Sequence, residues 1–556
     1  AEAASSPDLV ITTDQQMQEF IDTVNLGEAS GTSHSGHDYY GQLIELGADV
    51  SITLTKAPTN NATAKLYSFF SGTFDGKGHT INLTYNCESK SCALFRNLQG
   101  TVKNVVFNAN MNCGDFAALV CTNSNGKIDN CSTTAESTFN CGENIGAFCY
   151  NLQASSVTSN CVNNADITSS VGAAGIAYKV GTNASIINCV NNGDIEATTN
   201  HAAGITCYVI NNSYVKNCVN YGNISSSEGY TAGIANEVYG EGAYLADCVN
   251  YGTLTSTKFN DGGIASLISD KEGIGGRIYR CINNGDITLT ISSDSYNVHE
   301  GGIVGFSYQN GLIDRCTNNG HLKTTSGYGT GGILGGSKYG VTYISNCANT
   351  GLLENGRNGS PYVGGMVGIA EVATGADGKP DISNCLSAGE LKTTRKSKNQ
   401  YIGYVGTGNT PSNITSTNNI SIANDHGYEN SGVACTVKAT SSSANVLSLI
   451  KNVRAFKCES DTALISDLRN AYNGLTDEEI TLLKSITYYD YNEETADRDY
   501  ISAAEYILGF SPTVSSLPIS GNNDIKLTTT LTVVVVGVSL LTCSVLLLNK
   551  KKHLTK

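Results

Sequence analysis

Charged residues, proline and tryptophan are all scarce in this sequence of 556 residues. Only 15% of the residues are charged, there are 7 prolines, and tryptophan is absent. Because 40% of the residues are apolar, the chain is too hydrophobic and too weakly charged to be disordered. The 60 glycines follow no G-X-Y period, which excludes collagen. The net charge of −15 argues against a nucleic-acid partner and against an anionic lipid surface.

Motifs for familiar catalytic and metal sites are also missing. There is no C-x-x-C pair, no Walker loop, and no H-E-x-x-H or G-x-S-x-G sequence. His34 and His37 lie in the polar run S-H-S-G-H-D, which we interpret as a solvated loop. We therefore predict no cofactor and no metal site.

What the sequence does contain is a repeated phrase. N-C-V-N-N-G-D-I, at Asn188 to Ile195, recurs about every thirty residues between Cys161 and Cys385. A second phrase, A-G-I or G-G-I, follows each copy some fifteen to twenty residues later. Such a period predicts a stack of similar turns. Three short strands per turn, with β-branched residues pointing inward, predict an all-β fold, a right-handed parallel β-helix over residues 41–425.

Particular positions of the repeat have predicted structural roles. One cysteine per turn is expected to be buried and reduced: Cys131, Cys161, Cys189, Cys218, Cys248, Cys281, Cys316, Cys347 and Cys385. An asparagine two residues later is expected to form a ladder of stacked amides: Asn163, Asn191, Asn220, Asn250, Asn283, Asn318 and Asn349. The glycine two residues after this asparagine is expected to supply a positive φ at the turn: Gly193, Gly222, Gly252, Gly285, Gly320 and Gly351. Cysteines outside this pattern are the better disulfide candidates: Cys87, Cys92, Cys113, Cys121, Cys141 and Cys149.

The first turns of the solenoid resemble a known family. They are F-S-G-T-F-D-G-K-G-H-T-I, starting at Phe70, and A-L-F-R-N-L-Q-G-T-V-K-N-V-V-F, starting at Ala93. Both are similar to segments of right-handed parallel β-helix surface proteins with GLUG-type repeats, which are common in Gram-positive gut bacteria. Similar glycine-rich repeats occur in membrane adhesins of trichomonad protists. The resemblance implies an extracellular, adhesive protein.

Helical segments are predicted on both sides of the repeats. Residues 1–40 are interpreted as an N-terminal cap, in which Thr13 begins an amphipathic helix. Residues 440–510 are interpreted as a small helical domain or stalk, with a capping box formed by Thr476 and Glu479. The run L-R-N-A-Y-N-G-L-T-D-E-E-I-T-L-L resembles a helical module found near the ends of Gram-positive surface proteins.

The C-terminal tail predicts attachment to a cell surface. Residues 511–526 form a linker, 527–549 are uncharged and largely apolar, and 550–556 are basic. An apolar run of this length can span a bilayer, and the lysines place its end in the cytoplasm. L-P-I-S-G resembles the L-P-x-T-G sorting signal, although Ser520 replaces threonine. If a sortase acts here, the resemblance implies cleavage between Ser520 and Gly521. Membrane and wall anchoring both stay open, and they depend on Leu517, Pro518, Ser520, Gly521, Lys550, Lys551 and Lys552.

Three functions are compatible with these features. An adhesin would bind an extracellular glycan or protein through variable loops, and its candidate surface is a tyrosine-rich stretch: Tyr208, Tyr214, Tyr230, Tyr239 and Tyr244. A polysaccharide lyase or hydrolase would need clustered carboxylates on adjacent turns. No turn shows an obvious acidic pair one repeat apart with a basic partner, and Asn223 and Thr253 interrupt the position shared by Asp166, Asp194 and Asp286. The third function is a structural coat protein. We favour the adhesin.

Overall fold

The computed structural model describes residues 6–29, 34–87, 91–268, 275–291, 298–357, 362–371, 380–393, 399–402, 414–422, 437–438, 441, 443–456, 462–489 and 497–509. Short parallel strands wind into a β-solenoid of the right-handed type, which confirms the predicted architecture. Each turn passes through three faces. Face 1 receives one strand per turn and forms a 14-stranded sheet, while most turns contribute two short strands to face 2 and two to face 3.

Each face collects its strands in chain order. Face 1 consists of Leu9–Ile11, Leu43–Leu46, Thr73–Asp75, Thr101–Lys103, Lys127–Asp129, Val157–Ser159, Ser185–Ile187, Tyr214–Lys216, Tyr244–Ala246, Arg277–Tyr279, Leu312–Asp314, Thr342–Ser345, Pro380–Ser383 and Thr415–Thr417. Face 2 consists of Val50–Leu54, Thr80–Cys87, Val106–Cys113, Ser132–Thr133, Thr138–Cys141, Val162–Asn163, Ile167–Ser169, Val190–Asn191, Ile195–Ala197, Val219–Asn220, Ile224–Ser226, Val249–Asn250, Leu254–Ser256, Ile282–Asn283, Ile287–Leu289, Thr317–Asn318, Leu322–Thr324, Ala348–Asn349, Leu353–Asn355, Leu386–Ser387, Leu391–Thr393, Ile420–Ser421 and Val437–Lys438. Face 3 consists of Phe69–Phe70, Phe95–Leu98, Cys121–Ser124, Asn144–Gly146, Cys149–Leu152, Gly172–Ala174, Ala177–Val180, Ala202–Ala203, Thr206–Ile210, Thr231–Ala232, Ala235–Tyr239, Asp261–Gly262, Ala265–Ile268, His299–Gly301, Val304–Ser307, Gly329–Gly331, Leu334–Lys338, Tyr362–Glu371 and Asn399–Ile402.

The core is built from apolar columns that run along the solenoid axis. Ile195 pairs in register with Ile224, and both are almost completely buried. The isoleucine of the second phrase, such as Ile205 or Ile234, is fully buried as well. Burying one such side chain contributes about 1.5–3 kcal/mol. Repetition of these two positions therefore supplies much of the stability of each turn.

The predicted asparagine ladder is present. From Asn163 to Asn349, each side-chain Nδ2 donates to the Oδ1 of the asparagine on the next turn at 2.8 Å. The same Nδ2 also donates to the backbone carbonyl of the glycine two residues later, as Asn220 does to Gly222 at 2.8 Å. All seven side chains are fully buried. The ladder therefore locks each turn both to itself and to its neighbours.

The role predicted for the repeat glycines was wrong. None of the six has a positive φ. They are needed because the turns approach closely: a Cβ on Gly222 would lie 1.9 Å from the carbonyl oxygen of Gly193. Positive φ instead falls on the residue before the repeat cysteine, for example Asn188 at 57° and Asn217 at 54°. Asparagine tolerates this left-handed conformation better than most residues, which explains the first letter of the repeated phrase.

The cysteines follow the repeat. All nine repeat cysteines are buried free thiols, as predicted. Burial raises the pKa of the Cys161 thiol well above its ordinary value. Of the six candidates for disulfides, only Cys92 and Cys113 are bonded to each other. The other four are buried and free, so the expectation held for one pair only: Cys87, Cys121, Cys141 and Cys149.

One helix covers the first turns of the solenoid, and four more follow the solenoid in the chain. Helix α1, Asp14–Val24, begins at the capping box of Thr13 and Gln16 and buries four apolar side chains. Its Phe20 packs against Phe70 and Phe95 of the first turns. Four further helices are α2 (Ala444–Ala455), α3 (Thr462–Asn473), α4 (Asp477–Lys484) and α5 (Tyr500–Gly509).

The C-terminal helices pack against the solenoid itself. Their buried side chains share one cluster with four solenoid residues, Ala348, Leu386, Ala388 and Ile422. Small sheets complete the fold: Glu28–Ala29 with Asn60–Asn61 and Leu66–Tyr67, and Thr487–Tyr489 with Asp497–Asp499. Within the described part of the chain, no helix is both long and apolar enough to cross a membrane.

Candidate binding surface

A line of aromatic rings runs along the outside of face 3, and we call it the face 3 strip. In its first run, Phe116 stacks on Tyr150 with ring centroids 4.4 Å apart, and Tyr150 stacks on Tyr178 at 5.2 Å. Tyr178 meets Tyr208 edge to face at 5.7 Å. The parallel register explains the first contacts, because it places Tyr150 beside Tyr178 on adjacent turns.

The first run continues over two more turns. His201 lies 5.1 Å from the ring of Tyr208 and stacks on Tyr230 at 5.3 Å. Tyr230 in turn stacks on Phe259 at 5.0 Å. Ring contacts of these lengths are favourable beyond the area they bury. The rings therefore form one continuous surface across successive turns.

A second run of rings follows on the next turns of face 3. Tyr339 stacks on Tyr308 at 6.1 Å, and Tyr308 meets Phe306 at 5.0 Å. Phe306 lies 4.5 Å from His299. The run then passes to Tyr328 and Tyr362, whose ring centroids are 5.2 Å apart.

Polar groups surround the rings at the centre of the first run. His201 Nε2 lies 3.2 Å from Glu237 Oε1, and His201 Nδ1 lies 3.2 Å from the hydroxyl of Tyr208. Lys179 pairs with Tyr208 across the turns, and Tyr208 pairs with Glu237. Burial raises the pKa of the Tyr208 and Tyr178 hydroxyls, so both stay protonated at neutral pH. This part of the strip combines ring faces with donors and acceptors of hydrogen bonds.

Parts of the strip are open to solvent. Phe259 is 40% exposed and Tyr308 is 42% exposed. Phe259 has a φ of 64° and Tyr339 a φ of 61°, a left-handed conformation that costs energy for a bulky side chain. Residues held in such conformations concentrate at ligand-binding sites.

The five predicted tyrosines do not form one patch. Tyr208 and Tyr230 belong to the face 3 strip, and Tyr239 ends a strand of the same face. Tyr214 and Tyr244 lie on face 1, where their rings stack at 5.0 Å. The sequence pattern could not separate the two groups, because residues close together in the chain turn onto different faces.

The sequence-based prediction missed several residues of the strip, although the sequence contains a pattern that marks some of them. An aromatic or histidine residue precedes the isoleucine or methionine of the second phrase by four positions in several turns: His201, Tyr230, His299 and Tyr362. Because the strands of adjacent turns pair in register, residues at this position lie above one another in a column. Tyr221 and Tyr251, which occupy the same position on adjacent turns, stack with ring centroids 5.0 Å apart.

One pair of acidic residues on adjacent turns was not evident from the sequence. Asp261 and Glu300 pair in register on adjacent turns of face 3, and both are fully buried. Thr231 donates to Asp261 from its backbone N and its hydroxyl at 2.9 and 2.8 Å, and Ser256 also donates to this carboxyl group. Burial raises the pKa of Asp261 to about 7 and raises that of Glu300 well above its ordinary value. Their complete burial keeps both groups away from any substrate.

The other acidic position behaves as an exposed turn. Asp166 Oδ1 accepts the backbone N–H of Asp194 at 2.8 Å, and Asp194 Oδ1 accepts that of Asn223 at 2.7 Å. In the loop of His34 and His37, His34 Nδ1 contacts Asp38. Over the described ranges, no three His, Cys, Asp or Glu side chains are placed to hold a metal ion. The anchor residues Leu517, Pro518, Ser520, Gly521, Lys550, Lys551 and Lys552 lie outside the described residues.

Comparisons with known proteins are weak. No protein-family model and no curated protein matches this chain. A solved structure from Bacteroides ovatus, named as a candidate immunoglobulin A1 protease, is similar over 53% of this chain and 81% of its own, with 17% identity and a TM-score of 0.32. An IgA1 protease is similar over 80% of this chain with 10% identity and a TM-score of 0.22. The chain spans only 26% of that protein. Likenesses of this size do not indicate what the chain does.

Proposed function

We propose that this protein is a surface-anchored adhesin that binds an extended glycan along the face 3 strip. The observation that carries the proposal is the strip itself, in which rings on successive turns stack on one another in one line along face 3. The ring surface that stays exposed, at Phe259 and Tyr308, can pack against the C–H groups of sugars. Glu237 and Lys179 are partly exposed beside the rings and supply groups that bind sugar hydroxyls.

The dimensions of the strip favour a polymer over a single sugar. Strands of adjacent turns lie about 4.8 Å apart, so rings from Phe116 to Phe259 cover roughly 25 Å. The second run lengthens this surface. A protein partner is the alternative ligand, because exposed tyrosines also dominate protein interfaces.

The proposal is tested by comparing exposed tyrosines on two faces. The chain is first screened on a glycan array, and the affinity of a hit is then measured by titration. We expect Tyr308→Ala on face 3 to weaken binding about tenfold, equivalent to about 1.4 kcal/mol. Tyr343→Ala is the matched control, because Tyr343 is exposed to a similar extent, 48% against 42%, but lies on face 1. Equal losses in both variants would contradict glycan binding by the strip.

Cleavage of the glycan is a second candidate, favoured by the hydrogen-bonded chain of Glu237, His201 and Tyr208. Such a chain can hold and move a proton. The test is to incubate each glycan hit with the protein and to measure new reducing ends. Product that disappears in His201→Gln but persists in Tyr343→Ala would support the enzyme. Binding without product supports the adhesin.

Surface attachment is the other part of the proposal. It is supported by the L-P-I-S-G pentapeptide, the uncharged run of 527–549 and the lysines after it. We also propose that the chain is related to surface proteins with GLUG-type repeats. Its tail is anchored either in the membrane or to the cell wall. Deleting residues 522–556 should release the protein into the medium. Firm attachment of the truncated chain would show that something else holds it.

A further inference from the structure

Polar residues interrupt the apolar core beneath face 3. One inward column of this face begins and ends with residues of the main core: Ala173, Ala202 and Val363. Four successive turns between them place polar residues in the same column: Thr231, Asp261, Glu300 and Thr330. All four are fully buried. We call Asp261 and Glu300 the acid pair. Polar groups at this depth cost stability, so a function is expected for them.

Hydroxyl and amide groups surround the acid pair. Asp261 accepts from Thr231 and Ser256, as described above. Glu300 Oε2 accepts the Thr330 hydroxyl at 3.3 Å. The strands packed against the pair contribute neutral side chains here: Thr231, Ser256, Thr324, Thr330 and Asn355. Neutral partners can satisfy a carboxyl group that holds its proton, but they only partly balance the charge of a buried carboxylate.

Charged groups near the acid pair have other partners. Lys258 Nζ pairs with Glu228 Oε1 at 3.3 Å. The Arg357 guanidinium lies over the Tyr328 ring, 5.2 Å from its centroid. His299 directly precedes the second carboxyl in the chain, but its ring belongs to the face 3 strip. Across the described residues, no cation forms an ion pair with either carboxyl, and the charge that acts on the second carboxyl is that of the first.

The acid pair therefore holds its protons tightly while the chain is folded. Burial raises the pKa of Asp261 to about 7 and that of Glu300 well above its ordinary value. Because both pKa values are higher in the folded chain than in the unfolded chain, the bound protons stabilise the fold at acid pH. For Asp261 this stabilisation is lost as the pH rises to about 7. At alkaline pH two negative charges would lie buried on turns that are about 4.8 Å apart.

The acid pair lies where the two runs of the strip meet. Phe259, the last ring of the first run, precedes Asp261 by two residues. His299, a ring of the second run, directly precedes Glu300. The side chain of Asn260 joins the two turns, because its Oδ1 accepts the His299 N–H at 3.0 Å. Any separation of these turns would therefore divide the strip in two.

We propose that the acid pair is a pH switch that controls the contact between these two turns. While both carboxyls carry protons, the turns stay closed. When the protons leave to solvent at alkaline pH, the turns separate locally and water reaches the carboxylates. Hydration of the charges favours this local opening over keeping both of them in the core. The switch does not rest on the proposed glycan binding, and its test uses no ligand.

Hydrogen–deuterium exchange followed by mass spectrometry tests the switch on the purified chain. The native chain is compared with the double variant Asp261→Asn/Glu300→Gln, in which amides imitate the protonated carboxyls. Both are measured at about pH 5 and about pH 9, and the ratio of the native rate to the variant rate removes the intrinsic effect of pH on exchange. Over residues 254–268 and 298–307, we expect this ratio to rise at least about tenfold from the lower pH to the higher.

Three controls make the result specific. Asp194→Asn removes a carboxylate from an exposed turn, so this variant should exchange like the native chain at both pH values. Residues 172–180, where Ala173 fills the same column, should show no rise. Glu300→Gln alone keeps the bonds to Asp261, so it should give a rise in the same direction even if the double variant does not fold. A constant ratio, or an equal rise over residues 172–180, overturns the proposal.

Discussion

Removing one amide from the asparagine ladder should destabilise the solenoid far more than removing an amide just outside it. Asn220→Ala is the sharpest perturbation, because Asn220 lies in the middle of the ladder. Its Nδ2 donates to Asn250 Oδ1 and to the Gly222 carbonyl, both at 2.8 Å. Its Oδ1 accepts from Asn191 Nδ2 at 2.8 Å. All of these groups are buried, so water does not replace the lost partner.

The expected magnitude follows from those three bonds. Each contributes about 1 kcal/mol net, and a buried polar group left without a partner costs about 1–3 kcal/mol. The substitution strands the Oδ1 of Asn250 and the carbonyl of Gly222. Asn191 keeps its second bond, to the carbonyl of Gly193 at 2.8 Å. We therefore expect a loss of about 3–5 kcal/mol in the free energy of unfolding, which is large for one substitution.

Asn192→Ala is the matched control from the same repeated phrase. Asn192 donates a single side-chain bond, to Asn164 Oδ1 at 2.7 Å, and it is only partly buried. Water replaces that bond, so the expected loss is about 0.5–1 kcal/mol. Urea denaturation followed by far-ultraviolet circular dichroism measures both values. If Asn220→Ala and Asn192→Ala differ by less than about 1 kcal/mol, the ladder is not a main source of stability.

Three further predictions test other features. Asp261, whose pKa burial raises to about 7, binds its proton more tightly when folded than when unfolded. Its contribution is complete below the unfolded pKa and is lost as the pH rises to about 7, so Asp261→Asn should flatten the decline in melting temperature between roughly pH 4 and pH 7. An unchanged decline would refute this. Cys189 and its equivalents should react with a thiol reagent only after unfolding, because all are buried; rapid labelling of the native chain would be inconsistent with that. Gly222→Ala should lower the free energy of unfolding by about 3 kcal/mol or more, because its Cβ would clash with the neighbouring turn. Gly356→Ala should change the urea midpoint little, because its Cβ would meet nothing closer than 3.4 Å. Equal shifts of the urea midpoint would exclude close approach as the reason for Gly222.

Much of the fold was predictable because it depends on local and repeated signals. The isoleucine columns, the asparagine ladder, the N-cap at Thr13 and the capping box of Thr476 and Glu479 follow from spacing alone, and all are present. The glycine error shows the limit of that reasoning. A recurring turn position suggested positive φ, but the cause is the neighbouring turn, whose carbonyl lies 1.9 Å from the missing Cβ of Gly222.

Contacts that depend on turn length or on distant packing were not predictable. Turns differ in length, and the step from Asn260 to His299 spans 39 residues, which hid the pairing of Asp261 with Glu300. The hydrogen bond from Arg454 of helix α2 to Thr317 joins residues 137 apart in the chain. Neither separation is encoded in the period of the repeat.

The sequence by itself determined that this chain forms a stack of turns, because each turn repeats the same apolar and amide positions and those can be buried only against another copy. It also determined which residues face inward. Only the tertiary structure decided which outward residues lie together. Winding places residues from different turns side by side on one face, and it sends neighbours in the chain, such as Tyr208 and Tyr214, to different faces. The face 3 strip is therefore a property of the wound chain, not of any single repeat.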